Sequence, residues 1–223
     1  MPSDLLDPSV AIAAPAHDCP LCPRLVEYRA LNQAASPAWF NAPVPSWGRI
    51  DVPLLIVGMA PGVRGANRTG RPFTGDHAGI LLYETLLATG LATGSYDADP
   101  LDSLTLRHCR VVNAVRCVPP ANLPQPVEIR TCNQFLSAEL RGMPSLRAVL
   151  ALGVLAHAAV LQACGIPASR IKFRHGAIHE LPDGLLLADS YHVSRYNTNT
   201  GVLTRDMFLA AVMNVMQRLN LQP

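Results

Sequence analysis

Gly58 to Asp76 reads GMAPGVRGANRTGRPFTGD. The apolar run Leu54-Leu55-Ile56-Val57 precedes it and reads as a buried parallel strand, and Ala78 to Leu91 follows with the apolar spacing of a helix. The stretch is therefore a long strand-to-helix loop. Its glycines let the backbone approach a ligand closely, while Arg64, Arg68 and Arg71 offer guanidinium groups to phosphate or carboxylate. Together these features suggest a nucleotide or nucleic-acid site.

The same alternation of strand, loop and helix continues along the chain. Strands are predicted at Leu54 to Met59, Arg110 to Val115, Ala148 to Leu152 and Leu185 to Tyr191. Helices are predicted at Cys22 to Gln33, Ala78 to Leu91, Glu128 to Arg141, Val154 to Cys164 and Thr204 to Leu219. Strands in such a chain run parallel, so the loops at their C-terminal ends gather on one sheet edge, where open α/β sheets bind ligands. At 223 residues the chain suits a single domain over residues 18–223, and an Ala- and Pro-rich segment, 1–17, reads as a disordered tail without the pattern of a secretion signal. Ala148 to Ile166 is apolar enough to raise a membrane span, yet Gly153, His157 and Gln162 break it into strand, turn and helix. A soluble intracellular protein without membrane association is expected. The net charge of +2 does not itself argue for nucleic acid; the placement of Arg64, Arg68, Arg71 and Arg195 in loops of ligand-like composition does.

Cysteine is the second signal. Cys19 and Cys22 form a C-x2-C beside Pro20 and Pro23, and Cys117 and Cys132 form a C-x14-C much further on. Cys109 and Cys164 lie in apolar surroundings and read as small buried hydrophobes. Without an export signal the other four point to a metal rather than to disulfides. Zinc and iron–sulfur both accept four thiolates, and this spacing does not choose between them.

Candidate site residues fall in the strand-end loops: Phe73 and Asp76 in the first, Asn113 and Asn122 in the second, and Tyr191-His192-Val193-Ser194-Arg195-Tyr196 in the last. Each has a structural alternative. Asp76 precedes a helix and reads equally as an N-cap, Phe73 as a core plug, Asn113 as a turn residue and His192 as a packed histidine. Their joint occurrence on one edge, beside four cysteines, favours a site.

GMAPGVRGANRTGRPFTGD, VVNAVRCVPPANLPQP and YHVSRYNTNTGVLT, in that order and with the four cysteines, resemble the motifs of the fifth family of uracil-DNA glycosylases, from Cys19 to about Leu219. The resemblance implies a three-layer α/β fold with a four-stranded parallel sheet flanked by helices, and a [4Fe–4S] cluster on Cys19, Cys22, Cys117 and Cys132. It implies monofunctional excision of uracil, and of other deaminated bases such as hypoxanthine, from DNA by a cytoplasmic, nucleoid-associated monomer. Breaking the bond between sugar and base builds positive charge on the sugar and negative charge on the base. Asp76 is expected to answer the first charge and His192 the second, with Asn122 also in the site. Phe73 and Asn113 are expected to stack on and read the base, against backbone from Gly58, Met59, Ala60 and Gly62. Arg64, Arg68, Arg71, Ser194, Arg195 and Tyr196 are expected to meet the DNA, the last three also filling the gap left by the flipped base. Ala60 stands where other uracil glycosylase families carry a polar catalytic residue. Val193 stands where proline is expected after the histidine, an exchange expected to loosen that loop. Lys172, the only lysine, lies in a segment without site-like composition, so Schiff-base strand cleavage is not expected. The rival readings are a non-catalytic nucleic-acid-binding module with structural zinc, and an iron–sulfur redox protein.

Overall fold

Leu54–Gly58, all buried, forms the inner strand β1, and its apolar run is the sequence of a strand covered on both faces. In a computed structural model, which describes residues 12–222, the sheet order is β4-β1-β5-β7-β6. Strands β4 (Cys109–Asn113), β5 (Ala148–Leu152) and β7 (Leu186–Ser190) extend the parallel sheet. The four predicted strands are all present, within two residues of their predicted ends. A fifth, β6 (Ile178–Glu180), pairs antiparallel with β7 and makes the sheet mixed. At three residues, two of them polar, it carries no apolar run for a sequence reading to detect. Outside this sheet β2 (Ala92–Thr93) and β3 (Thr105–Leu106) form a small antiparallel pair.

Alternate side chains of the sheet feed two cores. Leu54, Ile56, Val111 and Leu150 pack with α3 (His77–Ala88) and α7 (Arg205–Leu219), through Leu82, Leu86, Phe208 and Val212. Leu55, Val57, Val112 and Val149 pack with α4 (Pro126–Gly142) and α5 (Val154–Ala163), through Leu136, Ala156 and Val160. This is the expected three-layer arrangement. Helix α1 (Pro23–Ala35) lies against Val115 and Cys132 through Leu25. Short α2 (Ala66–Thr69) and α6 (Arg195–Asn199), and a 3-10 turn at Pro120–Asn122, occupy the strand-end loops.

The chain leaves β1 toward β4 and leaves β5 toward β7, so the topology reverses between β1 and β5 and opens a crevice at their C-terminal ends. The first eleven residues of the predicted tail lie outside the described residues. Residues 12–16 have no regular structure, and Ile12 is partly buried against the α4 and α5 core. No helix among the described residues is long and apolar enough to cross a membrane.

Candidate functional site

A cavity of about 600 Å³ opens at that crevice, lined from the loops after all four parallel strands. Met59, Ala60, Gly62, Phe73 and Asp76 come from the first loop, Asn113 and Asn122 from the second, and His192, Ser194, Arg195 and Tyr196 from the last. The size suits one small ligand or nucleoside.

Phe73 is only 7% exposed and belongs to the α3 side core, as the plug reading has it, and it also lines the cavity. Its φ of +52° is left-handed, a strained state for a bulky residue. Tyr96 Oη, which donates to the Phe73 carbonyl at 3.1 Å, helps hold it there. Gly58 does not line the cavity; it lies beneath it. A Cβ built on Gly58 would stand 2.3 Å from Phe73 Cζ and 2.5 Å from Asn113 Oδ1, so only glycine lets ring and amide close over the strand end. Gly58→Ala is expected to lower uracil release at least about tenfold and to cost about 1–3 kcal/mol through overpacking, read by single-turnover kinetics and thermal melting.

Asp76 is both the N-cap of α3 and a wall of the cavity. Its Oδ1 accepts from the Ala78 N–H at 3.1 Å. Its Oδ2 faces two glycines of the preceding loop: a Cβ on Gly62 would lie 2.6 Å from it and one on Gly65 2.1 Å. Burial raises the Asp76 pKa, against the backbone N–H groups of Ala78 and Gly79 and the nearby His77 and Arg195. The result is a carboxylate with one oxygen anchored and the other free of side chains from its own loop.

His192 stands opposite, its ring centroid 6.2 Å from that of Phe73 and tilted by 34°. Burial lowers its pKa to about 4, so the ring is neutral at pH 7 and can donate one N–H. Asn197 Nδ2 donates to the His192 carbonyl at 2.8 Å, and Ser194 Oγ caps α6 by accepting from Asn197 N–H at 3.3 Å. Val193, where proline is expected, is fully buried in the core and packs this loop against it. Asn113 is 3% exposed and lines the cavity, and its amide makes no hydrogen bond within the described residues. Asn122 sits exposed at the rim in a left-handed conformation (φ +56°), which asparagine tolerates.

Not all expected contacts survive. Arg71 is 6% exposed and forms a two-pronged pair with Asp102 at 2.7 and 2.8 Å, lying 4.7 Å over the Trp47 ring. A guanidinium enclosed in this way has no access to DNA, which corrects its assignment as a DNA contact. Arg64 and Arg68 are exposed but do not line the cavity, and Arg68 Nε donates to the Arg64 carbonyl at 2.9 Å. Sequence reasoning also missed wall residues. His77 lines the cavity with a buried Nδ1 that has no partner among the described residues, and Gly153 to Leu155 line it from the loop after β5. The signal for the latter was the glycine between a strand and a helix, which reads simply as a turn.

Cys19, Cys22, Cys117 and Cys132 line one small cavity between α1, the loop after β4 and α4. None of the six cysteines is joined in a disulfide. Burial raises Cys22 to about 11, with Cys132, Glu128 and Cys19 adding to it, and raises Cys117 to about 12 against Arg29. Such crowded thiols become thiolates when a cation compensates them. Arg29 Nη1 lies 3.6 Å from Cys117 Sγ, and the Arg116 N–H 3.4 Å from Cys132 Sγ, two donors suited to thiolate. No three His, Cys, Asp or Glu side chains among the described residues converge on a point able to hold a single ion.

Residues 45–215 match the family model described as the uracil DNA glycosylase superfamily. The chain is 45% identical to the type-5 uracil-DNA glycosylase of Thermus thermophilus, over 87% of its own length and 91% of that protein. It is 40% identical to the type-5 enzyme of Mycobacterium bovis over 85% and 74% of the two chains. With the type-5 enzyme of Pyrobaculum aerophilum it shares 39% identity over 84% and 83%.

Proposed function

This chain belongs to the uracil DNA glycosylase superfamily, and from that premise we propose that it is a uracil-DNA glycosylase that hydrolyses the bond between deoxyribose and uracil in DNA repair. The observation that carries the reading is Asp76 and His192, a half-anchored carboxylate and a neutral imidazole, on the walls of one nucleoside-sized cavity. Other deaminated bases such as hypoxanthine are proposed as further substrates, as the resemblance to the fifth family implies.

The target nucleotide leaves the stack and enters the cavity. Its base lies against Phe73 with Asn113 at its polar edge, and Ser194, Arg195 and exposed Tyr196 press on the backbone and fill the gap. As the glycosidic bond lengthens, the Asp76 carboxylate stabilises the cationic sugar and orients water toward C1′. The neutral His192 donates to a base carbonyl as the anion departs. Asn122 closes the rim. Exposed Arg64 and Arg68 meet phosphates beyond the cavity. The enzyme acts as a cytoplasmic monomer on nucleoid DNA. It leaves an abasic site and an intact strand, because Lys172, the single lysine, is exposed and does not line the cavity.

The cysteine cavity is the proposed site of a [4Fe–4S] cluster, the choice over zinc that the four-cysteine resemblance implies. Four thiols line one space, and a cluster takes each cysteine on a separate iron whereas zinc draws all four to a single centre. When bound, the cluster supplies four iron–thiolate bonds that clamp α1 to the loop after β4 and to α4, and no step of the hydrolysis runs through it. Purified protein should be brown, with broad absorbance near about 400 nm. A colourless protein with stoichiometric zinc would favour the binding-module alternative.

The function is tested with duplexes that carry one uracil or one hypoxanthine, followed by alkaline cleavage of abasic sites. Strand breaks at uracil only after alkali support the reading; none at either base rejects it, and covalent trapping by borohydride rejects the monofunctional part. The pH dependence has a defined sign. His192 titrates about 4 in the folded protein against an ordinary 6.5, so it stays neutral as pH falls through 6.5, while the unfolded chain takes up the proton. Its stability contribution is complete above 6.5 and declines from there toward pH 4. Turnover should hold from pH 8 to about 6 and fall below about 5 as His192 gains a proton. An acid limb centred near 6.5 and unchanged in His192→Gln would overturn the neutral-donor role.

A further inference from the structure

Tyr191 immediately precedes His192, and the backbone between them leaves β7 and enters the cavity wall. The Tyr191 N–H donates to Nδ1 of His175 at 3.1 Å, and the two rings stack with centroids 4.8 Å apart and planes 7° from parallel. His175 does not line the cavity. Its own segment is laced to β7: the Arg174 N–H donates to Asp189 Oδ2 at 3.1 Å, the Gly176 N–H to the Asp189 carbonyl at 2.8 Å, and Asp189 N–H to the Ala177 carbonyl at 2.9 Å. Asp189 is itself fixed by His157 Nδ1 at 2.7 Å and His179 Nε2 at 3.2 Å. Residues 174–177 therefore present the His175 ring at a set height beside the strand end.

On the glycosylase reading, we propose that His175 is a positioning residue for His192. Its Nδ1 lone pair and ring face fix the Tyr191 peptide, and with it the direction in which the next residue enters the cavity. After His192 the chain is held by Asn197 and by buried Val193; before it, the side-chain restraints on the backbone are His175 at the Tyr191 N–H and Ser190, whose Oγ donates to the Tyr191 carbonyl at 3.0 Å. The bond has a protonation requirement. Nδ1 accepts only while it lacks a proton, and a proton there would face the Tyr191 N–H with a second donor. The titratable and charged groups around this segment are Asp189 on β7, Tyr191 just beyond its end, His179 on β6, Arg174 beside it, and His157 on α5 through Asp189. Burial lowers the His175 pKa against the pull of Asp189, in the direction that keeps the acceptor free at neutral pH.

Two replacements separate the parts of this role. His175→Phe keeps a ring on Tyr191 and loses the acceptor; His175→Asn loses the ring and retains an acceptor oxygen near the Nδ1 position. His175→Phe should lower single-turnover uracil release about tenfold, the scale of one hydrogen bond, with KM within about twofold, while His175→Asn stays within about threefold of wild type and shows a shallower acid limb. In a His192→Ala background His175→Phe should cause no further loss. Wild-type rates in His175→Phe, or an undiminished loss in the His192→Ala background, would overturn the proposal. Hydrogen exchange of the Tyr191 amide, faster in His175→Phe than in wild type or His175→Asn, reads the contact without any turnover. Unchanged exchange overturns it too, and a wild-type protein that releases no uracil while the exchange pattern holds overturns the glycosylase reading alone.

Discussion

Asp76→Asn is expected to slow uracil release by at least about a hundredfold while shifting the melting temperature by less than about 2 °C. The two halves of this expectation come from the two oxygens of one side chain. Oδ1 is an N-cap, accepting from Ala78 N–H at 3.1 Å, and asparagine is as good a cap as aspartate. Oδ2 faces Gly62 and Gly65, whose missing side chains leave it open to the cavity. A neutral amide there cannot answer a cationic sugar. A partly buried charge acts through a lower local dielectric than a surface one, which is the environment that raises the Asp76 pKa. Asp76→Ala should lose a similar factor in rate and also about 1 kcal/mol of stability with the cap. Single-turnover kinetics on a uracil duplex and a thermal melt separate the two effects. If Asp76→Asn keeps activity within about tenfold of wild type, the carboxylate is a cap and no more.

Asp76, weighed in the sequence as cap or site residue, caps α3 and also lines the cavity, and the reason sequence cannot separate the two readings is that both follow from one position before a helix. The parallel strands were legible because burial on both faces writes an uninterrupted apolar run, as in Leu54 to Val57 and Ala148 to Leu152. Strand β6 escaped because Ile178-His179-Glu180 is an edge strand of three residues whose pairing is decided by β7, not by its own pattern. The wall from His77 and from Gly153 to Leu155 escaped for a different reason: nothing in the composition of those positions separates a helix start lining a cavity from one that faces solvent. The loop after β7 shows the converse. Val193 reads as a lost constraint when compared with proline, yet an apolar side chain can hold a loop by burial, a contact that depends on core residues far away in sequence.

Arg71 is the sharpest of these non-local cases, and it carries the largest expected effect on stability. Arg64, Arg68 and Arg71 share one loop and one side-chain chemistry; what distinguishes Arg71 is Asp102, thirty-one residues further on. The pair has side chains only 7% and 0% exposed, and the carboxylate also accepts from the N–H groups of Asp97 and Leu104 at 3.0 and 3.1 Å. Arg71 Nε donates to Thr74 Oγ1 at 2.7 Å, and Trp47, Tyr83 and Tyr96 surround the guanidinium. Arg71→Met therefore strands a buried anion that the arginine holds well below the usual carboxylate range. Breaking one side of a buried pair costs about 3–5 kcal/mol, which for a domain of this size is a fall of roughly 10 °C in melting temperature. Removing both charges, as in Arg71→Met with Asp102→Asn, should recover more than half of that loss, because the uncompensated anion and not the missing attraction dominates it. A phosphate contact makes the opposite forecast: an unchanged melting temperature, weaker DNA binding across all sequences, and a salt dependence of binding reduced by about one counterion. Melting curves and a salt titration of DNA affinity on the same single variant decide between them, and a fully stable Arg71→Met with a reduced salt slope would return the residue to the DNA.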